Sequence, residues 1–335
     1  MRSSKLTVVV IALVSVHLVA VFAGFVAPYS YREQNRMTPR AAPTRIRFAD
    51  DEGRWHVRPF IDAAVDDEPV PLRFLVRGSS YELLGLVRTD LHLFGVDEPH
   101  RVFVLGTDPL GRDYFSRFLY GGQLTLAAGL IAAALALATA LVLGTAAGYG
   151  GRALDGAIMW TGDIFLSLPW LYMLLAARAF LPLDMEPGDA FLAIVVLLGF
   201  LGWAAPMRIV RGVVLGAKER EFVEAARSAG AGHLHILTRH VLPQTYSVLA
   251  TQAALLIPAY MLAEVTLSFV GLGVSEPRPS WGNMLAELPR TSVLSTEPWT
   301  FAPAILLVTV TWLYHSMLSS LDKRDHGAAN SGSAG

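Results

Sequence analysis

The 335-residue chain contains no cysteine, which excludes disulfides, thiolate metal sites and cysteine nucleophiles together. Charge is scarce as well. Asp, Glu, Lys and Arg make up 16% of the residues, against about 25% in a soluble domain, so much of this chain does not face water. The formal net charge of -1 supplies no basic field for wrapping nucleic acid, and no such partner is expected. Catalytic signatures are missing too. No Gly-x-x-x-x-Gly-Lys-Ser/Thr loop occurs: Gly212-Val-Val-Leu-Gly216-Ala-Lys218 has the wrong spacing, and Glu219 stands where the hydroxyl residue belongs. There is no His-Glu-x-x-His and no Gly-x-Ser-x-Gly, and the nine histidines are scattered. No catalytic residue and no metal ligand is assigned.

What is plentiful is apolar sequence, 53% of the chain. Six runs come close to the ~20 residues that cross a bilayer as a helix: 6–27, 124–149, 157–181, 190–210, 248–270 and 301–318. The first follows Arg2 and Lys5 and so competes with a signal peptide, but it outruns the ~7–15 apolar residues of a signal core and reads as a retained helix. His17 within it reads as a neutral ring bonded to a neighbouring helix. Gly144-Thr-Ala-Ala-Gly148 has the spacing that lets two helices approach closely. Pro169, Pro206 and Pro258 fall within the third, fourth and fifth runs, where neighbouring groups can satisfy the freed carbonyls.

Six spans put both termini on one side. The loop 207–245 carries Arg208, Arg211, Lys218, Arg220, Arg227 and Arg239, and the tail carries Lys323 and Arg324. The 183–189 loop has Asp184, Glu186 and Asp189 without a basic residue. The positive-inside rule therefore places both termini and the 207–245 loop in the cytoplasm. Residues 28–120 then lie outside. Within them 44–48 and 54–58 alternate around a turn like two strands, and 72–76 and 101–105 are further strand candidates. The boundaries that follow are a first helix over 1–27, an external segment over 28–120, a five-helix core over 121–320 and a disordered Gly/Ala/Ser-rich tail over 321–335.

The stretch 218–244 is the most specific. Residues 219–229 predict a helix with Phe222, Ala225, Ala226 and Ala229 on one face. Gly230 and Gly232 break it, and 233–241 predicts a second short helix stopped by Pro243. Glu224-Ala225-Ala226, Gly230 and Leu242-Pro243 match the E-A-A-x-x-x-G-x(9)-I-x-L-P pattern of permease subunits of bacterial ABC importers, with His240 standing at the isoleucine position. Arg239-His-Val-Leu-Pro243 resembles the form common in the peptide-importer branch. So do Leu105-Gly-Thr-Asp-Pro-Leu-Gly-Arg-Asp113, Gly148-Tyr-Gly-Gly151, the 263–273 segment and Pro279-Ser-Trp-Gly-Asn283. The likeness to the C-type permease of dipeptide and oligopeptide importers covers roughly residues 100–320; the segment 28–100 is longer than that family leads one to expect.

Taken with the apolar runs and the strand candidates, the resemblance points to an all-α polytopic protein of the bacterial inner membrane with about six transmembrane helices, a small β-containing periplasmic insert that rests on the strand candidates alone, and a cytoplasmic coupling helix. It implies a multi-subunit importer of peptides: a second homologous permease, two cytoplasmic ATPases that hold the ATP and Mg, and an extracytoplasmic binding protein, with no cofactor in this chain. Glu224 would contact the ATPase or cap the loop, and Ala225, Ala226 and Gly230 would allow close packing, with His240, Leu242 and Pro243 completing the loop. Charge at membrane depth is costly, so Glu264 in the fifth run and Asp163 in the third are candidates for the translocation path or for ties between helices. Asn283 joins them as part of a segment at the outer mouth. Arg178 reads as structural, and Trp160, Trp170 and Trp203 read as packing or interfacial residues. Competing readings are the same importer class carrying a nickel chelate, an opine or an antibiotic peptide, a proton-driven secondary transporter, and a membrane-bound enzyme or sensor.

Overall fold

The computed structural model describes residues 2–50, 53–62, 69–83, 85–180, 182, 185–288 and 296–332. Leu181, Asp184 and Arg290, and Asp51 and Glu52 of the first hairpin turn, lie outside them. The chain is mostly helical and divides into two compact units. One takes 1–9, 127–264 and 311–335; the other takes 10–126 and 265–310. Residues 265–310 therefore group with the N-terminal segment rather than with the middle of the chain.

Every apolar run is helical. Three helices are long and apolar enough to cross a membrane among the described residues: Tyr114–Tyr149 (α3), His233–Phe269 and Pro298–Ser320. Pro187–Leu201 (α6) and Ala204–Lys218 (α7) pass the same test only as a pair, bent by 43°. The bend falls at Gly202 and Trp203, so Pro206 sits in the first turn of α7, where its missing N–H leaves no bond unmade. The third run divides into Arg152–Ser167 (α4) and Trp170–Ala179 (α5), separated at Leu168-Pro169, because proline restricts the residue before it to extended geometry. The first run forms Arg2–Val21 (α1), of which Lys5–Val21 is apolar, followed by the short Ala23–Val26 (α2). His17 Nδ1 lies 2.8 Å from the Leu13 carbonyl, one turn back in its own helix.

In the unit containing 10–126, strands Ile46–Ala49 (β1), Trp55–Asp62 (β2) and Pro69–Pro71 (β3) form an antiparallel sheet in that order. Arg73–Leu83 (β4) and Val87–Gly95 (β5) form a separate antiparallel hairpin. Ile61, Leu72 and Val102 are the buried centre of this region. The expected strand at 101–105 is absent. Phe103 N–H goes to the Thr44 hydroxyl, Val102 N–H goes to the Tyr29 hydroxyl, and the Phe103 carbonyl accepts from Thr44, so the segment's backbone is satisfied without a ladder. Asp113 caps α3: its carboxylate accepts from the Ser116 N–H at 2.8 Å and the Ser116 hydroxyl at 2.5 Å.

In the other unit α3 and α7 run close together. A Cβ on Gly144 would meet the Met207 carbonyl oxygen at 2.7 Å, and one on Gly148 would meet Val214 Cγ1 at 2.7 Å. The glycine pair at i and i+4 therefore sets the approach of the two helices. The final helix, Ala302–Gly332 (α12), continues where composition predicts a disordered tail. Extending an existing helix needs no new nucleus, so even a weak sequence can carry on a strong one.

Candidate functional site

The loop after α7 is built on an apolar knot. Val210 and Val214 of α7, with Ala217, pack against Val223, Ile236 and Val241, all buried. Helix Glu221–Ser228 (α8) enters this knot through Val223, with Ala226 one turn on. Phe222, Glu224, Ala225 and Ala229 are exposed. The packed stripe is thus Val223 and Ala226; of the four residues that periodicity groups on one face, Phe222, Ala225 and Ala229 are exposed and Ala226 is partly buried against the knot. An amphipathic helix this short offers two readings of its face, and the valine, with the larger apolar side chain to bury, decides between them.

Gly230 ends α8 in a Schellman arrangement. Its φ is +87°, its N–H bonds the Arg227 carbonyl at 3.0 Å, and the Ala231 N–H bonds the Ala226 carbonyl at 3.0 Å. The left-handed backbone is what requires glycine here. A Cβ would meet nothing within 4 Å, so the residue leaves open surface beside the Glu224-Ala225 face. Gly232 precedes helix His233–Ile236 (α9). The helix does not stop at Pro243. It passes through a π turn, Leu237–Val241, and a 3-10 turn, Leu242–Thr245, into Tyr246–Phe269 (α10). The altered turns remove the need for the amide that Pro243 lacks, and the Thr245 hydroxyl donates to the Leu242 carbonyl at 2.7 Å. Leu242 and Pro243 are half-buried, and His240 lies between the rings of Phe222 and His235, 6.1 and 5.9 Å away by centroid.

Several ties hold the loop in place. Tyr149 donates to the His233 carbonyl at 3.3 Å, and Lys218 Nζ donates to the Gly148 carbonyl at 2.9 Å. Arg211 grips Asp155 with two bonds of 2.5 and 2.6 Å, which joins α7 to α4 and holds the carboxyl below its ordinary range. Asp163 forms an ion pair with Arg208. Glu264 is fully buried in α10. Arg178 is buried and donates to the Pro182 carbonyl at 3.1 Å. Trp203 is buried, whereas Trp160 and Trp170 are exposed.

Asn283 belongs to the other unit. It forms a reciprocal cap with Ser280 at the head of Trp281–Ala286 (α11), and its amide donates to the carbonyls of Val274 and Arg278. Trp281 is buried, bonds the Phe118 carbonyl at 3.1 Å and lies stacked on Phe118. The small residues there are needed, since a Cβ on Gly122 would stand 2.9 Å from the Trp281 ring.

The motif at 105–113 conceals a charge lattice that spacing alone did not disclose. Arg112 bonds Asp108 at 2.5 Å and Glu276 at 2.6 Å; Arg117 bonds Glu276 at 2.6 Å and stands 3.5 Å from Asp108. The two guanidiniums hold the Glu276 carboxyl below its ordinary range against the opposing effect of burial. The signal was the partner's position: Glu276 is more than 150 residues from either arginine.

Comparison with known proteins gives the chain its relatives. Residues 140–324 match the family model described as the binding-protein-dependent transport system inner membrane component. A putative peptide permease protein of Brucella suis is 36% identical over 58% of this chain and 62% of its own length. The oligopeptide transport system permease protein OppC of Escherichia coli is 36% identical over 66% of this chain and 72% of its own. The matched stretch thus spans somewhat under two thirds of the Brucella relative. Among solved structures, an inward-facing MetNI methionine ABC transporter aligns with 61% of this chain and 95% of that chain at 17% identity and a TM-score of 0.44. With more than half of its residues inside the family model, the chain belongs to the family of inner membrane components of binding-protein-dependent transport systems.

Proposed function

We propose that the chain is the transmembrane permease subunit of an ATP-driven peptide importer, and that the 218–244 loop is its contact with a cytoplasmic ATPase. The observation that carries this is the exposed Glu224-Ala225 face beside the open surface of Gly230, mounted on a buried apolar knot. A knot of that kind lets a push on α8 move α7 rather than deform the loop. ATP acts on such a protein only through contacts that differ between its two conformations, and this loop is the rigid place to make them.

In this reading the six helical runs cross an inner membrane with both termini in the cytoplasm, and the β-containing segment faces the periplasm. A second permease completes the path, two ATPases hold the ATP and Mg, and an extracytoplasmic binding protein delivers the substrate. The peptide assignment is supported by the names of the relatives in Brucella and Escherichia coli. Glu264 and Asp163 are the path-side candidates at membrane depth, and Asn283 shapes the outer segment.

The test is co-purification through a C-terminal tag with a Glu224→Lys variant alongside. The wild type is expected to bring down a second permease and nucleotide-binding ATPases, and the variant to keep the permease while losing the ATPases and peptide uptake. Recovery of the chain alone, stable and monodisperse, would remove the multi-subunit reading.

A further inference from the structure

The 43° bend between α6 and α7 is a corner held from two sides. Trp203, at the bend, is buried against Ala140 of α3, and its ring meets Phe165 of α4 at 5.4 Å. Just before the bend, a Cβ on Gly199 would stand 2.7 Å from Leu135 Cβ of α3. The other side of the corner belongs to α10. A Cβ on Gly202 would collide with the hydroxyl oxygen of Tyr260 and stand 2.8 Å from its Cζ. The glycine is thus what admits the tyrosine to the bend. Tyr260 is 7% exposed, and its hydroxyl is buried without a hydrogen-bond partner among the described residues. A hydroxyl buried unpaired is unfavourable, and a phenylalanine would fill the same space without that penalty.

A matching acceptor lies at the same corner. In a helix the carbonyl of residue i takes the amide of residue i+4. For Gly202 that residue is Pro206, which has no amide, so this carbonyl would lack its donor even if α6 and α7 joined into one straight helix. Among the described residues no backbone amide bonds it in the bent form either. The corner therefore holds an acceptor without a donor on Gly202, beside a donor without an acceptor on Tyr260. The position gives the pair leverage. α7 and the rod that ends in α10 are the two arms of the 218–244 loop, packed together there through Val210, Val214 and Val241. Tyr260 is where the second arm meets the far end of the first, roughly 20 Å along α7 from the loop.

We propose that Tyr260 is a latch between α10 and the α6–α7 corner, open in the conformation described here and closed in the importer's other conformation by a bond from its hydroxyl to the Gly202 carbonyl. The latch deepens the importer reading and rests on it. One conformation leaves two polar groups unpaired and the other joins them, so the balance between the two depends on this hydroxyl.

The test uses the importer assembled around this chain in nanodiscs, with spin labels at Val196→Cys of α6 and Leu255→Cys of α10, both exposed positions. No cysteine of the chain itself competes for the label. With Tyr260 present, two interspin distances are expected, in proportions that change on adding ATP. Tyr260→Phe is expected to move the ratio about tenfold towards the distance of the conformation described here, the worth of one hydrogen bond, and to slow ATP-driven uptake. Under the nucleotide condition that favours this conformation, the variant should melt no lower than the wild type, since no bond is lost there. A ratio unmoved by Tyr260→Phe overturns the latch. So does a lower melting temperature under that condition, which would make the hydroxyl a support of the open form. A single distance under every condition, with uptake intact, overturns the latch and leaves the importer reading standing. A chain that recruits no partner and supports no ATP-driven uptake removes the importer reading and the latch with it.

Discussion

Two sets of ion pairs among the described residues differ in what surrounds them. Arg211 with Asp155 and Arg208 with Asp163 join α7 to α4, with side chains between a quarter and three fifths exposed. Asp108, Arg112 and Arg117 are sealed, none more than 5% exposed, and the two arginines share Glu276 at the edge of the solvent. The first set exchanges water for a partner at small gain. The second was taken out of water altogether, so each member is held by the others, and the loss of one strands the rest. The contrast teaches that the motif at 105–113 is a structural clasp across a long stretch of sequence, whereas the α4–α7 pairs are adjustable ties near a surface that has work to do.

The sharpest way to break the contrast is Asp108→Leu, which leaves Arg112 and Arg117 with one carboxylate between them. A loss of about 3–5 kcal/mol is expected, read as a large drop in thermal stability in detergent. Next comes Gly230→Ala, which forces a side chain into left-handed backbone at a cost of ~1–2 kcal/mol; Gly230→Asn should recover part of it, as thermal melts of the two variants would show. Asp155→Asn comes last among the stability effects, at ~0–1 kcal/mol. Because Arg211 lowers the folded carboxyl, this small contribution is present above the ordinary carboxylate range and fades only as pH falls through the lower folded value.

Asp113 sharpens the comparison from the opposite direction. It is as buried as the clasp, yet Ser116 is its principal partner. Burial pushes its carboxyl up from 3.8 to about 7, against the hydrogen bonds of Ser116. A raised acid resists ionising in the folded state, so its contribution to stability is greatest below the ordinary carboxylate range, declines as pH rises towards 7, then levels. Asp113→Asn keeps an acceptor for the Ser116 amide and should flatten that slope, measured as melting temperature against pH; an unchanged slope would show that Asp113 does not set it.

The sequence disclosed unevenly. Apolar runs are long and repetitive, so all six helical runs were legible, and the glycine pair at 144 and 148 announced a close helix approach without naming α7 as the partner. The interruptions were less so. Pro169 does divide its run, but the 43° bend in the fourth run falls at Gly202 and Trp203, which nothing in the sequence singled out, and Pro243 stops nothing, because turn types that tolerate a missing amide surround it. In the β-region the 44–48 and 54–58 pair could be read from alternation, while the apolar 101–105 segment is not a strand, since the Val102 and Phe103 amides go to hydroxyls instead of a ladder. The loop's location was legible and its buried face was not. That face depends on Val210, Val214 and Ile236, contacts that local periodicity cannot see.

The π turn at Leu237–Val241 has a consequence for how such a loop tolerates change in length. A π turn accommodates one residue more than an α turn, and each residue of helix carries about 100° of rotation. A single deletion there converts the turn to ordinary helix and leaves the phase of everything from Tyr246 to Glu264 untouched, whereas the same deletion inside α10 would turn Glu264 away from the neighbours that enclose it. The segment is therefore the joint at which the exposed end of this rod can gain or lose a residue while its buried end keeps its bearing.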